Sequence, residues 1–267
     1  MKVVQRMTSS FQARVIYPYT QKYFSKTRYG KRISFYKDKF KNRRCFFIGN
    51  GPSLQAKDLD ILQEHGEITF AFNRIYNIFN QTIWRPTFYI SQDEKMLSGC
   101  KNIVDNLDLP VKFIPIQLKW YYDIQIHDAN YFNMKNQKDN NLKDNLLWSN
   151  NAASSIYCAS TGMYTAAQLA TYMGFASIYL IGVDHHFHIS QNNKGEIVID
   201  DKVKDYFSDN YNQDRDNLYI PNTENSTYTY IAMKKYCNGM NINIYNATRG
   251  GRLEVLPRVE FDSLFDN

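Results

Sequence analysis

Short apolar runs alternate with amphipathic segments along most of the chain. Apolar runs of strand length lie at 44–48, 68–72, 87–91, 111–116, 177–183 and 242–245. The segments between them carry apolar residues at helical spacing and predict helices over 53–65, 95–107, 161–174 and 223–238. This alternation predicts an α/β fold of the Rossmann-like kind: a mainly parallel sheet with helices on both faces.

Two segments interrupt this pattern. Eight of the 22 residues at 130–151 are Asn, which indicates an exposed insertion, a lid or a disordered loop. Residues 184–221 form a second long polar stretch. We therefore predict a catalytic nucleotide-binding domain over 43–267, with loop-rich lid segments near 117–151 and 185–221.

The N-terminal segment differs from the rest in its charge. Residues 1–44 hold thirteen Lys and Arg and one acidic residue, interleaved with aromatic side chains, although the whole chain carries only +6. We predict a basic, aromatic, helical arm over residues 1–42. Basic groups are attracted to anionic lipid and aromatic rings seat among headgroups, so an anionic membrane surface is an expected partner of residues 1–44. A basic helix packed on the acidic body is the alternative; nucleic acid is not expected.

Cysteine spacing and hydropathy indicate where in the cell the protein is expected to lie. The four cysteines are widely spaced and form no CxxC pair, which favours reduced thiols. No apolar run is long enough to span a membrane, and no secretory signal is evident. The expected location is cytoplasmic, with peripheral attachment to the inner face of the membrane through the arm. A homo-oligomer is left open.

The end of the first predicted strand carries the motif Gly49-Asn50-Gly51-Pro52-Ser53. Glycines allow a tight turn, and proline suits the first position of a helix. The N–H groups at the start of the following helix would then face an anion. These five residues are therefore predicted to bind a nucleotide phosphate or hydroxyl, with a plain strand-to-helix turn as the alternative.

Other predicted strand ends also carry polar groups. In a parallel sheet the carboxyl ends of the strands share one edge, where ligands bind. The nucleotide-binding candidates at these positions and at the start of the 161–174 helix are Asn73, Arg74, Ser160, Thr161, Gly162, Gly182, Asp184 and His185. Asx turns and helix caps are the simpler explanation for each residue taken alone.

Three of the five histidines lie within 185–188. Because His185 and His186 are adjacent, an extended loop would point them apart, and we expect no zinc site. His186, His188 and Asp93 are the catalytic candidates, as a general base or as support for a leaving phosphate. Arg249 and Arg252 are candidates for binding substrate anions; surface arginines beside a turn are the alternative.

Several motifs together resemble a known family. GNGPSL, FNR, STGMYTAAQLATYMG, IYLIGVDHHF and INIYNATRGGRLEVLPRVEF are similar to the MptE-like family, and the early and central motifs are similar to bacterial sialyltransferases. That family is named for an archaeal 6-hydroxymethylpterin diphosphokinase and includes motility accessory factors and proteins of bacterial surface-polysaccharide clusters. The resemblance implies that Asn73 contacts a cytidine nucleotide and that His186 supports the leaving phosphate.

The chain departs from these relatives at two positions. The resemblance places Asn222 and Tyr206 where relatives carry histidines, so the sialyltransferase base does not transfer directly. The leading expectation is a glycosyltransferase that moves a sugar from a nucleotide-sugar donor, CMP-linked by preference, to a glycan or lipid-linked acceptor, with no tightly bound cofactor. The alternatives are a Mg²⁺-dependent diphosphokinase using ATP and a non-catalytic nucleotide-binding scaffold.

Overall fold

A central parallel sheet organises the molecule. The computed structural model describes residues 12–137, 143, 145–192, 194–200, 202–208, 211 and 219–266. The strands are β1 (Arg44–Ile48), β2 (Ile68–Phe72), β3 (Phe88–Ile90), β4 (Val111–Pro115), β5 (Asn130–Phe132), β6 (Met134–Lys135), β7 (Ile156–Tyr157), β8 (Ser177–Ile181), β9 (Ile189–Gln191), β10 (Ile197–Ile199) and β11 (Asn243–Asn246). The α-helices are α1 (Tyr17–Lys22), α2 (Arg28–Ser34), α3 (Ala56–Glu64), α4 (Glu94–Asn106), α5 (Ile116–Tyr121), α6 (Gly162–Met173) and α7 (Thr223–Gly239).

Seven strands form the main sheet in the order β11-β8-β1-β2-β3-β4-β5, and every neighbouring pair is parallel. The chain builds outward from β1 to β5 and then crosses back to add β8 and β11 on the other side of β1. The strand order therefore reverses between β1 and β8, and the crevice beyond their carboxyl ends is where such sheets bind ligands. This architecture confirms the predicted fold class.

The two faces of the sheet carry separate hydrophobic cores. Successive residues of a strand point to opposite faces, so Phe46 packs on one side and Phe47 on the other. Helices α6 and α7 cover the Phe47 face, while α3, α4 and α5 cover the Phe46 face. Helix α6 is rich in alanine and almost wholly buried, so its small side chains let it lie close to the sheet.

Most predicted elements appear within a few residues of their predicted bounds, but α3 does not. It begins at Ala56, three residues after Ser53, because residues 51–54 form a turn in which Leu54 N–H donates to Gly51 O over 3.1 Å. Pro52 is therefore not the first residue of a helix. The prediction that the motif opens directly into a helix N-terminus is wrong.

The asparagine-rich stretch also contains more structure than its composition predicts. Residues Asn130–Phe132 form β5, the edge strand of the main sheet, with the Tyr131 and Phe132 side chains buried. Asn133 is wholly buried, and its Nδ2 donates to Ser154 O over 3.0 Å. The start of the predicted 117–151 lid is thus core, while residues 138–142 and 144 lie outside the described residues. The predicted 185–221 loop contains the β9–β10 hairpin.

The N-terminal arm packs along the open edge of the sheet. Helix α2 contacts β5, and Asn133 Nδ2 also donates to the carbonyl of Gln21 in the last turn of α1. Further along, the Phe40 ring stacks on Phe175 with centroids 5.0 Å apart. None of the helices in the described part of the chain is both long and apolar enough to cross a bilayer.

Candidate functional site

A cleft of about 610 Å³ opens at the carboxyl edge of the sheet. It lies at the reversal point between β1 and β8, since both Gly49–Gly51 and Gly182–Asp184 line it. The other predicted residues that line it are Asn73, Asp93, Ser160, Thr161, Gly162, His185 and His186. The structure therefore gathers the polar strand ends at one site. Pro52, Ser53, Arg74, His188, Arg249 and Arg252 do not line it.

The GNGPS turn is fastened to the loop after β8. Gly49 N–H donates to Ile181 O and Gly51 N–H donates to Gly182 O, each over 2.8 Å. The Ser53 hydroxyl donates to Asp184 Oδ2 over 2.8 Å, and Ser53 N–H reaches the same oxygen over 3.3 Å. A Cβ on Gly51 would collide with that carboxylate. These donors already have acceptors, so they are not available to hold a phosphate as the sequence predicted.

Asn50 contributes a polar group without a partner. Its Nδ2 donates to Phe72 O over 3.1 Å, which fixes the amide between β1 and β2. Its Oδ1 is buried and accepts no hydrogen bond from any described residue. An orphaned buried acceptor costs roughly 1–3 kcal/mol, and such atoms in native structures call for a donor. A ligand hydroxyl or amino group in the cleft is one source of that donor.

Three helices begin at the cleft. The Asp93 carboxylate caps α4 by accepting from Met96 N–H over 3.0 Å, and Asn222 caps α7 in the same way from Asn225 N–H over 2.8 Å. Thr161 caps α6, where its hydroxyl accepts from Met163 N–H over 3.3 Å. The first turn of α6 contains no acidic residue, unlike those of α4 and α7. Its positive dipole end is thus the least neutralised of the three and the best placed for an anion.

The FNR motif after β2 builds a wall of the cleft. Asn73 adopts a left-handed conformation with φ 51°, and its carbonyl accepts from the Tyr89 hydroxyl over 2.7 Å. Arg74 is buried and its guanidinium donates to the carbonyl of Tyr211. The structure therefore places Arg74 behind the cleft wall rather than against a nucleotide. Its role here is to hold the loop residue Tyr211, which itself lines the cleft.

The charged lining of the cleft is acidic. Asp93, Glu94, Asp184 and Asp205 line it, whereas the described lining contains no Lys or Arg. Burial raises the pKa of the Asp93 carboxyl and of the Asp184 carboxyl above their ordinary values, although hydrogen bonds from backbone N–H groups act in the opposite direction. An anionic ligand would therefore depend on helix termini and neutral donors, or on a cation that it brings with it.

The three histidines of residues 185–188 have different surroundings. His186 lines the cleft, and its Nε2 lies 3.1 Å from Asp200 Oδ2. His185 has φ 54°, its Nε2 lies 2.7 Å from the Thr227 hydroxyl, and burial lowers its pKa. His188 faces the hairpin, with Nδ1 2.9 Å from Asp200 O, and does not line the cleft. Only His186 combines access to the cleft with a carboxylate that orients its ring.

Neither arginine of the TRGGR segment, predicted to bind substrate anions, lines the cleft. The Arg249 guanidinium pairs with Asp58 Oδ2 over 2.9 Å and also with the Asp262 carboxylate. The backbone N–H of Arg252 donates to the backbone carbonyl of Asp184 over 2.8 Å. Gly251, at φ 75°, comes close to the backbone of Asp184, where a Cβ would lie 3.0 Å from the Asp184 carbonyl oxygen. This segment supports the Asp184 loop from behind.

Sequence reasoning missed the aromatic part of the cleft. Tyr206, Tyr211, Tyr219 and Tyr230 line it, and the Tyr206 and Tyr211 rings stack with centroids 3.9 Å apart. Three of the four lie in the long polar loop before α7, where tyrosines in a polar stretch were the available signal. Tyr219 reaches the other rim and its hydroxyl donates to Glu94, which raises its pKa to about 12.

Metal-ligating side chains do not cluster tightly at the cleft. Within the described ranges, no group of three or more His, Cys, Asp or Glu residues is close enough to hold a metal ion. Magnesium bound with substrate phosphates often uses only one or two protein carboxylates. One or two of the cleft carboxylates Asp93, Asp184 and Asp205 would fit such a role.

Fold and site together define a Rossmann-like α/β protein whose ligand cleft lies at the reversal of strand order. The chain belongs to the family described as 6-hydroxymethylpterin diphosphokinase MptE-like, whose model matches residues 21–190. A solved structure of the MAf glycosyltransferase from Magnetospirillum magneticum AMB-1 is similar, with 15% identity and a TM-score of 0.49. The match covers 88% of this chain and 38% of that one. No curated protein sequence matches the chain.

Proposed function

We propose that this chain is a glycosyltransferase that binds a nucleotide-sugar donor in the cleft and transfers the sugar to a glycan or lipid-linked acceptor. The observation that carries the proposal is the combination, in one cleft, of an uncompensated helix N-terminus and a histidine oriented by a carboxylate. The start of α6 at Thr161 and Gly162 would hold the donor phosphate. The unpartnered Asn50 Oδ1 would accept from the ribose or base.

His186 is the proposed general base. Its pairing with Asp200 stabilises the imidazolium that forms when it takes a proton from the acceptor hydroxyl. Proton transfer to the base increases the nucleophilicity of the acceptor oxygen, and the nucleotide departs with the electrons of the broken glycosidic bond. Asp93 lines the same cleft and is the second candidate for this step.

The charge of the cleft supports a donor with one phosphate, such as a CMP-linked sugar. Four carboxylates and no described Lys or Arg line the cleft, so each additional phosphate charge would be repelled. A helix N-terminus contributes only about half a positive charge. A single phosphodiester matches that capacity better than a triphosphate does.

The second candidate is a diphosphokinase that moves pyrophosphate from ATP to a hydroxymethyl group. The family description and the cleft carboxylates favour it, since one or two of the carboxylates Asp93, Asp184 and Asp205 would bind Mg²⁺ together with the substrate phosphates. Such a protein would bind ATP only with Mg²⁺ and would release AMP.

Ligand-dependent thermal stability distinguishes the candidates. We expect CMP or a CMP-sugar at about 100 times its Kd to stabilise the chain by roughly 2.7 kcal/mol without Mg²⁺. Stabilisation by ATP only with Mg²⁺, and AMP release with a pterin acceptor, would instead establish the diphosphokinase. Binding of a nucleotide without turnover of any donor would indicate that the protein is a non-catalytic scaffold.

Measurement of kcat tests the assignment of His186 as the general base. His186→Ala should lower kcat by about 10²–10⁴-fold with little change in donor Kd. The matched control is His127→Ala, which removes an exposed histidine that is paired with Asp105 and does not line the cleft. An unchanged kcat in His186→Ala would assign the proton transfer to another group.

A further inference from the structure

The surface of the arm carries a high density of positive charge. Ten Lys and Arg side chains within residues 12–43 are exposed: Arg14, Lys22, Lys26, Arg28, Lys31, Arg32, Lys37, Lys39, Lys41 and Arg43. Only Lys41 among them forms an ion pair with a described residue, at 3.6 Å from Asp38. The arm packs on the body of the protein, but none of these ten cations forms an ion pair with a described residue outside the arm. Their charge therefore remains at the solvent-exposed surface.

The aromatic side chains of the arm divide into two sets. One set faces inward: Tyr17 stacks on Trp120 at 4.6 Å, and the Tyr36 ring meets Phe113 edge-on at 5.3 Å. The other set faces solvent, with Tyr19 66% and Phe35 65% exposed. Val15, Ile16 and Tyr23 are also exposed, and the Tyr23 ring lies 4.8 Å from that of Tyr19. The outward set adds apolar surface to the same segment that carries the cations.

The backbone of the arm is held in place, so its charges sit on a fixed surface. Thr27 caps α2 by accepting from Gly30 N–H over 3.2 Å. Further on, Asp38 N–H donates to Tyr172 O over 3.1 Å and Phe40 N–H to Met173 O over 2.9 Å. The arm thus runs from the α5 side of β5 to the C-terminal end of α6, as an integral face of the molecule.

We propose that this face of the arm docks the protein on an anionic phospholipid bilayer. Lysine and arginine are attracted to acidic headgroups, and exposed aromatic and aliphatic side chains can enter the headgroup layer, where they leave water. The aliphatic Val15 and Ile16 suit a lipid layer better than the phosphate backbone of a nucleic acid. This inference is independent of the reaction in the cleft.

The arm also lies next to the cleft. Asn133, which donates to Gln21 of the arm, is followed at once by Met134, which lines the cleft. A bilayer against α1 would therefore bring membrane-bound molecules near that side of the cleft. Docking of this kind would present a lipid-linked acceptor without requiring any spanning segment.

Vesicle sedimentation with the full chain tests the proposal directly. We expect binding to phosphatidylcholine vesicles that contain phosphatidylglycerol, little binding to phosphatidylcholine alone, and loss of binding as salt screens the charges. Equal binding to both vesicle types, or no binding to either, would overturn the proposal. Binding to an oligonucleotide in the same buffer without binding to anionic vesicles would assign the face to nucleic acid instead.

A four-lysine variant locates the docking face. Lys22→Gln, Lys26→Gln, Lys31→Gln and Lys37→Gln together should lower the vesicle partition coefficient on the order of 1,000-fold. The matched control makes the same charge change at exposed lysines elsewhere, with Lys57→Gln, Lys101→Gln, Lys194→Gln and Lys235→Gln. An equal loss in both variants would show an effect of net charge and overturn the assignment of the arm.

Two further substitutions test the apolar contribution. Tyr19→Ser with Phe35→Ser should weaken partitioning roughly tenfold at constant charge, because less apolar surface leaves water. All variants alter exposed side chains, and their thermal unfolding should match that of the parent. Unchanged partitioning in the double variant would contradict the proposed seating of these side chains in the headgroup layer.

Discussion

Asp184 shows how a carboxylate of the protein itself accepts from groups that the sequence predicted to bind a phosphate. The turn at Gly49–Ser53 has the small residues and the N–H groups of an anion site, but Asp184 Oδ2 occupies the position in front of Ser53. The anion is supplied by the protein itself, from 131 residues away in the sequence. A motif that looks like a phosphate cradle thus serves to fasten the two strand ends that flank the cleft.

The first prediction concerns the pH dependence of this carboxyl. Because burial raises the folded-state pKa of Asp184 above its unfolded value near 3.8, folding favours the protonated form. The resulting contribution to stability is fully present below pH 3.8 and is lost as the pH rises through the folded-state pKa. In Asp184→Asn, the amide oxygen can still accept from Ser53, so this loss should disappear.

Urea unfolding across this pH range checks the prediction. We expect Asp184→Asn to match or exceed the parent in free energy of unfolding at pH 7, within about 1 kcal/mol. Asp108→Asn, at an exposed position, is the comparison for loss of one negative charge. If Asp184→Asn is instead strongly destabilised at pH 7, the ionised carboxylate contributes more than its burial costs.

For single residues, the sequence predicted which positions lie at the cleft but not which groups their side chains contact. Glycine, asparagine and threonine at strand ends follow from local rules, so Gly49, Asn50, Asn73 and Thr161 could be placed at one edge. The partner of each side chain depends on which loops meet in three dimensions. No local pattern indicates that Arg74 holds Tyr211 or that Ser53 holds Asp184.

Arg249 joins two elements of the fold to the loop that carries it. Its guanidinium links Asp58 in α3 to Asp262 in the C-terminal 3₁₀ helix, and the Asp58 side chain is only 5% exposed. The hydrogen bonds to both carboxylates raise the pKa of Arg249, so it remains charged at every accessible pH. Removing one partner of such a pair leaves a buried charge without compensation.

We therefore predict that Arg249→Met destabilises the chain by about 2–4 kcal/mol and leaves nucleotide affinity unchanged. Unfolding free energy and ligand titration on the same variant measure the two effects. The double variant with Asp58→Asn should recover part of the loss, since no buried unpaired carboxylate remains and the Asp262 carboxylate is exposed to water. Lys41→Met, which breaks an exposed pair with Asp38, should change stability by less than about 1 kcal/mol. Weaker nucleotide binding would restore the substrate role predicted from the sequence.

Elements with a strong apolar pattern were predictable and those defined by tertiary contacts were not. Strands β1 and β2 match their predicted bounds because RCFFI and ITFAF are buried on both faces. Strand β5 escaped prediction because Asn130 and Asn133 make its flanks look like loop. Their amides find partners only in the folded chain, as Asn133 does with Gln21 and Ser154.

The N-terminal arm covers the open edge of the central sheet. The outer edge of β5 is covered by α2, and open strand edges promote pairing between molecules. Phe24 and Ile33 of the arm are wholly buried, and Phe40 packs between Phe88 and Phe175. Fully burying one large apolar side chain stabilises by about 1.5–3 kcal/mol. Phe24 and Ile33 together therefore contribute about 3–6 kcal/mol, and the partly buried Phe40 adds less than a fully buried side chain would. That sum is a large share of the 5–15 kcal/mol by which a typical domain is stable.

Removing residues 1–43 should consequently abolish a soluble native state, although the sequence suggested an arm distinct from the domain at 43–267. The deletion exposes the β5 edge together with Phe88, Phe113 and Phe175. Molecules would then associate through these surfaces and aggregate. Size-exclusion chromatography and near-ultraviolet circular dichroism measure the outcome. The four-lysine variant is the control, because it alters the charge of the arm while keeping its packing and should elute as the parent does. A monomeric, cooperatively unfolding deletion variant would show that the arm is an appendage, and the burial of Phe24, Ile33 and Phe40 would then contribute far less than their area implies.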